Sequence, residues 1–234
     1  VTFTVQYPSI LFPGKTQYSE EPSTFEPIRR KLSSINPISW WRTANYINAQ
    51  QPDFVITRYW IPFMGPCLGT VIRLLNKKIK VICLLDNVIP HEKRIGDSLF
   101  TSYFVKPIQK YVAMSQSVMD DLYSFKKTAS CALNPHPVFD NFGEKLDQAA
   151  AKSELNLDAN NDYVLFFGFI RKYKGLDIAI RAFAEWKERL PNKKLLIAGE
   201  FYGDAEFYTS IAEELGIKDY IIWHTDFIPD SRVK

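Results

Sequence analysis

The sequence predicts a parallel α/β protein. Three observations carry that expectation. Short apolar runs rich in β-branched and aromatic residues recur along the whole chain. Between them lie stretches whose apolar residues repeat at helical spacing. The run Tyr163-Val-Leu-Phe-Phe167 closes on Gly168, passes through the basic loop Arg171-Lys-Tyr-Lys174 and Gly175, and then changes period from strand to helix. Such strand–loop–helix units build parallel sheets with ligand loops at the carboxyl ends of the strands.

Taken in order, Val1–Val5 alternates β-branched and aromatic residues and reads as a strand. Gln6 to Asn36 holds several prolines, Gly14 and a charged middle, and reads as a long ordered loop. Ser39–Gln50 reads as a helix with Trp40, Ala44 and Ile47 on one face, and core packing is favoured for Trp40 and Trp41 over a sugar-stacking platform. Asp53–Tyr59 is an apolar strand. A helix starts near Pro66, buries Leu68, Val71, Ile72 and Leu75, and ends at Lys77 and Lys78. Lys80–Leu85 is the next strand. It runs into Asp86-Asn-Val-Ile-Pro-His91-Glu92-Lys-Arg94, the most chemically dense loop of the first half. Asp97 caps a helix that Pro107 stops, Tyr111–Met114 is a strand, and Ser117 with Asp120 resembles a capping box. Ala129–Leu133 is another strand, and 134–143 reads as a linker.

In the second half, Tyr163–Phe167 fits a buried strand. Leu176, Ala179, Ile180, Phe183 and Leu190 share one helical face. Lys194–Gly199 is a strand. Asp204 caps a helix carrying Tyr208, Ile211, Ala212 and Leu215, which Gly216 ends. Lys218–Trp223 is the last strand. The domain boundary is expected near residue 150, giving domains 1–150 and 151–234. The chain begins on Val1, which is already strand-like, and its second half shows about three strands where a doubly wound sheet has about five or six. The expectation is a fragment cut at both ends.

The 234 residues are 46% hydrophobic and 15% aromatic, ample for packed cores, and the net charge of +3 is too small and too scattered for a nucleic-acid binder. That charge suits anionic ligands and permits a membrane-surface contact. No apolar run reaches a membrane span, and no signal peptide opens the chain. Cys67, Cys83 and Cys131 are odd in number and widely spaced, and read as small buried hydrophobes in a reducing compartment. His91, His136 and His224 lie far apart, so no metal site is expected.

Two loops carry the candidate chemistry. The cations of 171–174 and the free N–H groups of the following helix start are suited to a diphosphate, although many such loops do nothing. In the Asp86 loop, His91 titrates in the neutral range when unperturbed, and Asp86 is placed to orient a sugar or take a proton. A solvated charged loop is the alternative.

Three segments resemble the carboxyl-terminal domain of family 4 retaining glycosyltransferases: Phe166-Phe-Gly168 through Lys174-Gly-Leu-Asp177, Leu195-Leu-Ile-Ala-Gly199-Glu200, and His224-Thr-Asp-Phe227-Ile228-Pro-Asp230. That resemblance implies two Rossmann-like domains facing a cleft (the glycosyltransferase B arrangement), with the second domain incomplete. It implies a nucleoside diphosphate sugar as donor and a sugar or lipid-linked hydroxyl as acceptor. Lys174, with Arg171 and Gly168, would hold the donor diphosphate, and Phe227, Ile228 and Gly199 would lie beside the base. Asp86 and His91 would be catalytic, with Glu92 and Ser115 on the acceptor side. The resemblance also implies no metal or other cofactor, and cytoplasmic work, including at the inner face of a membrane, on envelope polysaccharide. Two positions depart from the family pattern. Phe169 stands where many members carry Arg, and Asp86 stands where a His is common. The rival expectations are a nucleotide-sugar epimerase and a non-catalytic nucleotide-binding or scaffold protein on the same fold.

Overall fold

The computed structural model describes residues 1–8, 28–90, 92–139, 142–189 and 192–233. His91, Leu190 and most of the long proline-rich stretch lie outside the described residues. The chain divides into two compact units, one running to Pro137 and one starting at Val138. The sequence puts that division near 150. The helix Gln148–Glu154, which straddles residue 150, goes with the second unit, where its Lys152 donates to the Ala159 carbonyl and sits over the Tyr163 ring.

In the first unit, β1 (Thr2–Val5) pairs in parallel with β2 (Arg30–Ser33). β3 (Phe54–Tyr59), β4 (Lys80–Leu85), β5 (Lys110–Ala113) and β6 (Ser130–Leu133) form a four-stranded parallel sheet in that order. β2 lies in the stretch expected to be loop throughout. It is short, polar and irregular in register against β1, and its anchors are Leu32, Ser33 and Ser34, all buried.

Among the described residues, four α-helices accompany these strands. α1 (Pro37–Gln50) starts where Asn36 accepts from the Ile38 N–H, and Pro37 supplies the first helical residue. Trp40 packs on the core and donates to the Ser33 carbonyl, whereas Trp41 faces solvent. α2 (Gly65–Leu74) buries Val71 and Ile72 as expected but stops before Lys77 and Lys78. It packs closely on α3 (Asp97–Val105): a Cβ on Gly65 would sit 2.4 Å from the Phe100 carbonyl oxygen. Arg73 then locks α2 to α3 by donating to the Tyr103 carbonyl and stacking on the Tyr103 ring. Gly96, not Asp97, caps α3, and the Asp97 carboxylate accepts the Arg94 N–H instead.

α4 (Gln116–Phe125) is capped by Ser115, whose Oγ accepts the Val118 N–H at 3.2 Å. The expected cap was Ser117. Extended backbone at Ser115 lets the helix begin directly after β5, and Asp120 pairs with Gln116. The core behind the sheet centres on Tyr59 and Phe104, whose rings stack at 4.1 Å, and the Tyr59 hydroxyl bonds Thr101. Tyr111 donates to the Val105 carbonyl, and Lys126 donates to the carbonyls of Lys106 and Ile108, so the turn before β5 is held from both sides.

The three cysteines fall in α2, β4 and β6, all as free thiols. Burial pushes the Cys67 thiol up to about 12 and the Cys83 thiol well above its ordinary value. Cys131 is only half-buried. Thiolate is the reactive form, so iodoacetamide at pH 8 should label Cys131 first in the native protein. Cys67 and Cys83 should react only after denaturation, read by peptide mass spectrometry.

In the second unit, α5 (Gln148–Glu154) is capped by Asp147. β7 (Asp162–Phe167), β8 (Lys193–Ala198) and β9 (Ile221–His224) form a three-stranded parallel sheet in sequence order. α6 (Leu176–Lys187) and α7 (Ala205–Glu214) cover one face, burying Leu176, Ile180, Phe183, Tyr208 and Ile211 against Leu195 and Ile197. α7 is capped by Asp204. β7 differs from expectation: among the described strands it lies at the edge of the sheet, and Leu165 and Phe167 are 58% and 52% exposed. An unbroken apolar run suggests two covered faces, but one face of β7 is open to solvent. Among the described residues, no helix is long and apolar enough to cross a membrane, and no His/Cys/Asp/Glu cluster suits a metal ion.

Candidate functional site

In the second unit, strand register brings the ends of β7, β8 and β9 level: Phe167 pairs with Ala198, and Ala198 with His224. The loops after all three strands therefore leave from one edge. Gly168 and Gly199 meet there. The Gly168 N–H donates to the Ala198 carbonyl and the Gly199 N–H to the His224 carbonyl, each at 2.9 Å. Gly199 has a φ of +140°, and a Cβ on it would sit 2.2 Å from the Gly168 carbonyl oxygen. Only a residue with no side chain lets these two chain segments cross so closely.

Past that crossing, Ile170 exchanges backbone bonds with the β8–α7 loop, its N–H to Glu200 and its carbonyl from Tyr202. This fixes the start of the basic loop. Lys172–Lys174 forms a single 3-10 turn, and Gly175, at φ +74°, turns the chain into α6. The first N–H groups of α6 have no acceptor within the helix, and the helix dipole adds positive potential there. Lys174 is exposed beside them. Arg171 lies over the Tyr202 ring at 4.5 Å, and Phe169 meets the same ring edge-on at 4.8 Å. Tyr202, which sequence reasoning missed, thus sits between Phe169 and Arg171. Its one sequence signal is an aromatic residue in the loop after a buried strand. Phe227 and Ile228 follow β9 at the same edge, Phe227 exposed and Ile228 half-buried. The arrangement is a cationic, N–H-rich loop rimmed by aromatic rings, which suits a phosphorylated ligand with a planar group.

In the first unit, Asp86 directly follows β4, and Ser115 follows β5 on the same sheet edge. The Asp86 N–H donates to the Tyr59 carbonyl. Its carboxylate pairs with Arg58 on β3, a residue the sequence reading passed over. Glu92 is exposed, and His91 lies outside the described residues. Ser115 is engaged as the α4 cap, so its hydroxyl has a structural role. Beside this edge, Trp60 donates to the Tyr7 hydroxyl at 2.6 Å, and Tyr7 stacks on Phe63.

Comparison with known families bears on the second unit. Residues 147–233 match the family of glycosyl transferases group 1. Gly168, Arg171, Lys174, Gly199, Phe227 and Ile228 all fall inside the matched residues, whereas Asp86, Glu92 and Ser115 fall outside them. Over 78 residues the chain is 40% identical to a D-inositol 3-phosphate glycosyltransferase of Segniliparus rotundus, covering 32% of this chain and 17% of that protein. Over 90 residues it is 37% identical to the D-inositol 3-phosphate glycosyltransferase of a Mycobacterium strain, covering 37% and 19%. Among solved structures, Anabaena Alr3699/HepE in complex with UDP and glucose superposes with a TM-score of 0.66 at 14% identity, over 82% of this chain and 52% of that one. The likeness to HepE is one of fold, and the chain spans about half of HepE's length.

Proposed function

We propose that the protein is a glycosyltransferase that moves a sugar from a nucleoside diphosphate sugar to an acceptor hydroxyl, with retention of configuration. The observation that carries this reading is the carboxyl edge of the β7–β9 sheet, where Gly168 and Gly199 cross at backbone distance beside Arg171, Lys174 and the start of α6. Lys174, Arg171 and the α6 N–H groups would take the charge of the leaving diphosphate, the electrostatic contribution that usually dominates such steps. Phe227 and Ile228 would rest against the base. Asp86, with His91 and Glu92, would face the sugar and the acceptor, a sugar or a lipid-linked hydroxyl. Basic side chains supply the charge a metal ion would otherwise bring, so the reaction is expected to run without one. The setting in this reading is cytoplasmic, including the inner face of a membrane, in polysaccharide assembly.

The test is calorimetry with UDP, GDP, ADP and UMP, each with and without EDTA. One diphosphate should bind in preference to its monophosphate. Lys174→Ala should weaken it about 10- to 100-fold, the range for removing a charge-assisted hydrogen bond. Equal binding of all nucleotides, or an unchanged affinity in Lys174→Ala, would sink the assignment. Binding without release of diphosphate in the presence of acceptors would favour a non-catalytic protein, the reading that Phe169 and Asp86 keep open. Turnover of the nucleotide sugar without any acceptor would favour an epimerase.

A further inference from the structure

α1 is apolar on two sides. Its inner side packs Trp40, Ala44 and Ile47 on the core. Its outer side opens with Ile38 and Trp41, one turn apart, which are 60% and 57% exposed. Ile35, just before the helix cap, is 55% exposed. Exposed apolar residues scattered singly are ordinary. A tryptophan with two isoleucines at one helix end is a patch, and patches of this kind mark contact surfaces.

Positive charge surrounds this patch. Exposed Arg42 lies on the same outer side, four residues after Ile38. At helical spacing, Tyr46 and Asn48 fall on opposite flanks of the stripe through Ile38, Trp41 and Arg42. On one flank the Lys31 ammonium sits 4.4 Å over the Tyr46 ring. On the other, Asn48 donates to the Leu74 carbonyl and accepts the Asn76 N–H, which seats the turn bearing exposed Lys77 and Lys78 against α1. None of the ion pairs among the described residues involves Arg42, Lys77 or Lys78. From Ile28 to Leu85 the chain holds nine Lys and Arg and one acidic residue, Asp53. The rest of the chain is net acidic, which hides this concentration in the small overall charge.

We propose that the outer side of α1, with the lysines on its flanks, docks on an anionic membrane surface. Indole and aliphatic side chains enter the boundary between headgroups and acyl chains, while lysines and arginines meet the lipid phosphates. A second copy of the chain fits less well, because a two-fold contact would set these cations against their own equivalents. A nucleic acid would take the cations but gives the isoleucines no apolar medium to enter. The inference deepens the membrane setting named above, and it uses none of the candidate site's residues.

The experiment is co-sedimentation of the intact chain with phosphatidylcholine vesicles, pure or with about one third phosphatidylglycerol, an anionic lipid that attracts basic segments. The chain should bind the anionic vesicles, bind the neutral ones far less, and come off as salt is raised. Trp41→Ala should weaken binding about 10-fold, the order for one large apolar side chain returned to water. Lys77→Glu/Lys78→Glu should weaken it more than about 10-fold, since each cation at such a surface counts separately. Trp186→Ala is the control: this tryptophan on α6 is 54% exposed, and its loss should change nothing. Brominated acyl chains should quench wild-type fluorescence more than that of Trp41→Phe. Circular dichroism and nucleotide binding should be the same in every variant, which separates a lost surface from a lost fold. No binding, equal binding to both vesicle types, or equal effects of Trp41→Ala and Trp186→Ala would overturn the proposal. Binding to polyuridylic acid in place of vesicles, or a dimer that Trp41→Ala abolishes and vesicles do not compete with, would overturn it too. Vesicle binding without any nucleotide binding would sink the transferase reading and leave this surface standing.

Discussion

Gly199→Ala is expected to destabilise the second unit by about 3 kcal/mol, the upper range for backbone strain and forced overpacking at one residue. The added methyl would lie 2.2 Å from the Gly168 carbonyl oxygen and 2.7 Å from its carbonyl carbon, both main-chain atoms with no rotamer to escape through. Relief requires β7 and β8 to part at their carboxyl ends. That would break the bond from the Gly168 N–H to the Ala198 carbonyl. Gly168→Ala is the control. It shares a left-handed φ, +114°, but a Cβ there meets nothing within 4 Å, so it should cost only backbone strain, about 1–2 kcal/mol. Hydrogen exchange on the intact chain separates the cases. In Gly199→Ala, protection should fall across β7, β8 and the start of α6, while β3–β5 stay protected. Equal losses in the two glycine variants would show that the close approach is unimportant.

Phe104→Ala should cost about 3–5 kcal/mol, the range for emptying an aromatic site in a packed core. Phe104 is fully buried and stacks on Tyr59, which is itself fully buried. Removing the ring leaves Tyr59 unsupported on one face, and the Tyr59–Thr101 hydrogen bond restrains it from collapsing into the space. Phe104→Leu should recover more than half of the loss. The readout is the urea midpoint of the first unit, followed by exchange at β3 and β4. A loss below about 1 kcal/mol would mean that the α3 contact repacks freely, contrary to the usual behaviour of close-packed interiors.

The sequence made helices legible where burial has a strong period. α6 buries Leu176, Ile180 and Phe183, and α7 buries Tyr208, Ile211 and Ala212, as their spacing predicts. It was less informative where the deciding contact is remote. β2 has Leu32 as its single apolar residue, so it carries no alternation to read. β7 looked buried because its apolar run has no polar positions to mark the open face. The cap of α4 moved by two residues because the end of β5 decides where a helix can begin. At the sites, the glycines and cations of the basic loop were visible as residue types. The Gly168–Gly199 crossing and the Arg58–Asp86 ion pair were not, because each joins positions from neighbouring strands that only sheet order brings together.

The bare side of β7 bears on how this 234-residue chain behaves at high concentration. A strand with free backbone groups along one edge and large apolar side chains beside them is a template for another chain to add to. Nothing along Val164-Leu-Phe-Phe167 resembles the lysine, proline or bulge by which sheet edges usually repel such additions. Cloudiness on concentrating this chain would therefore start at that edge, and a lysine in place of Leu165, whose side chain already meets solvent, is the smallest change that would guard it.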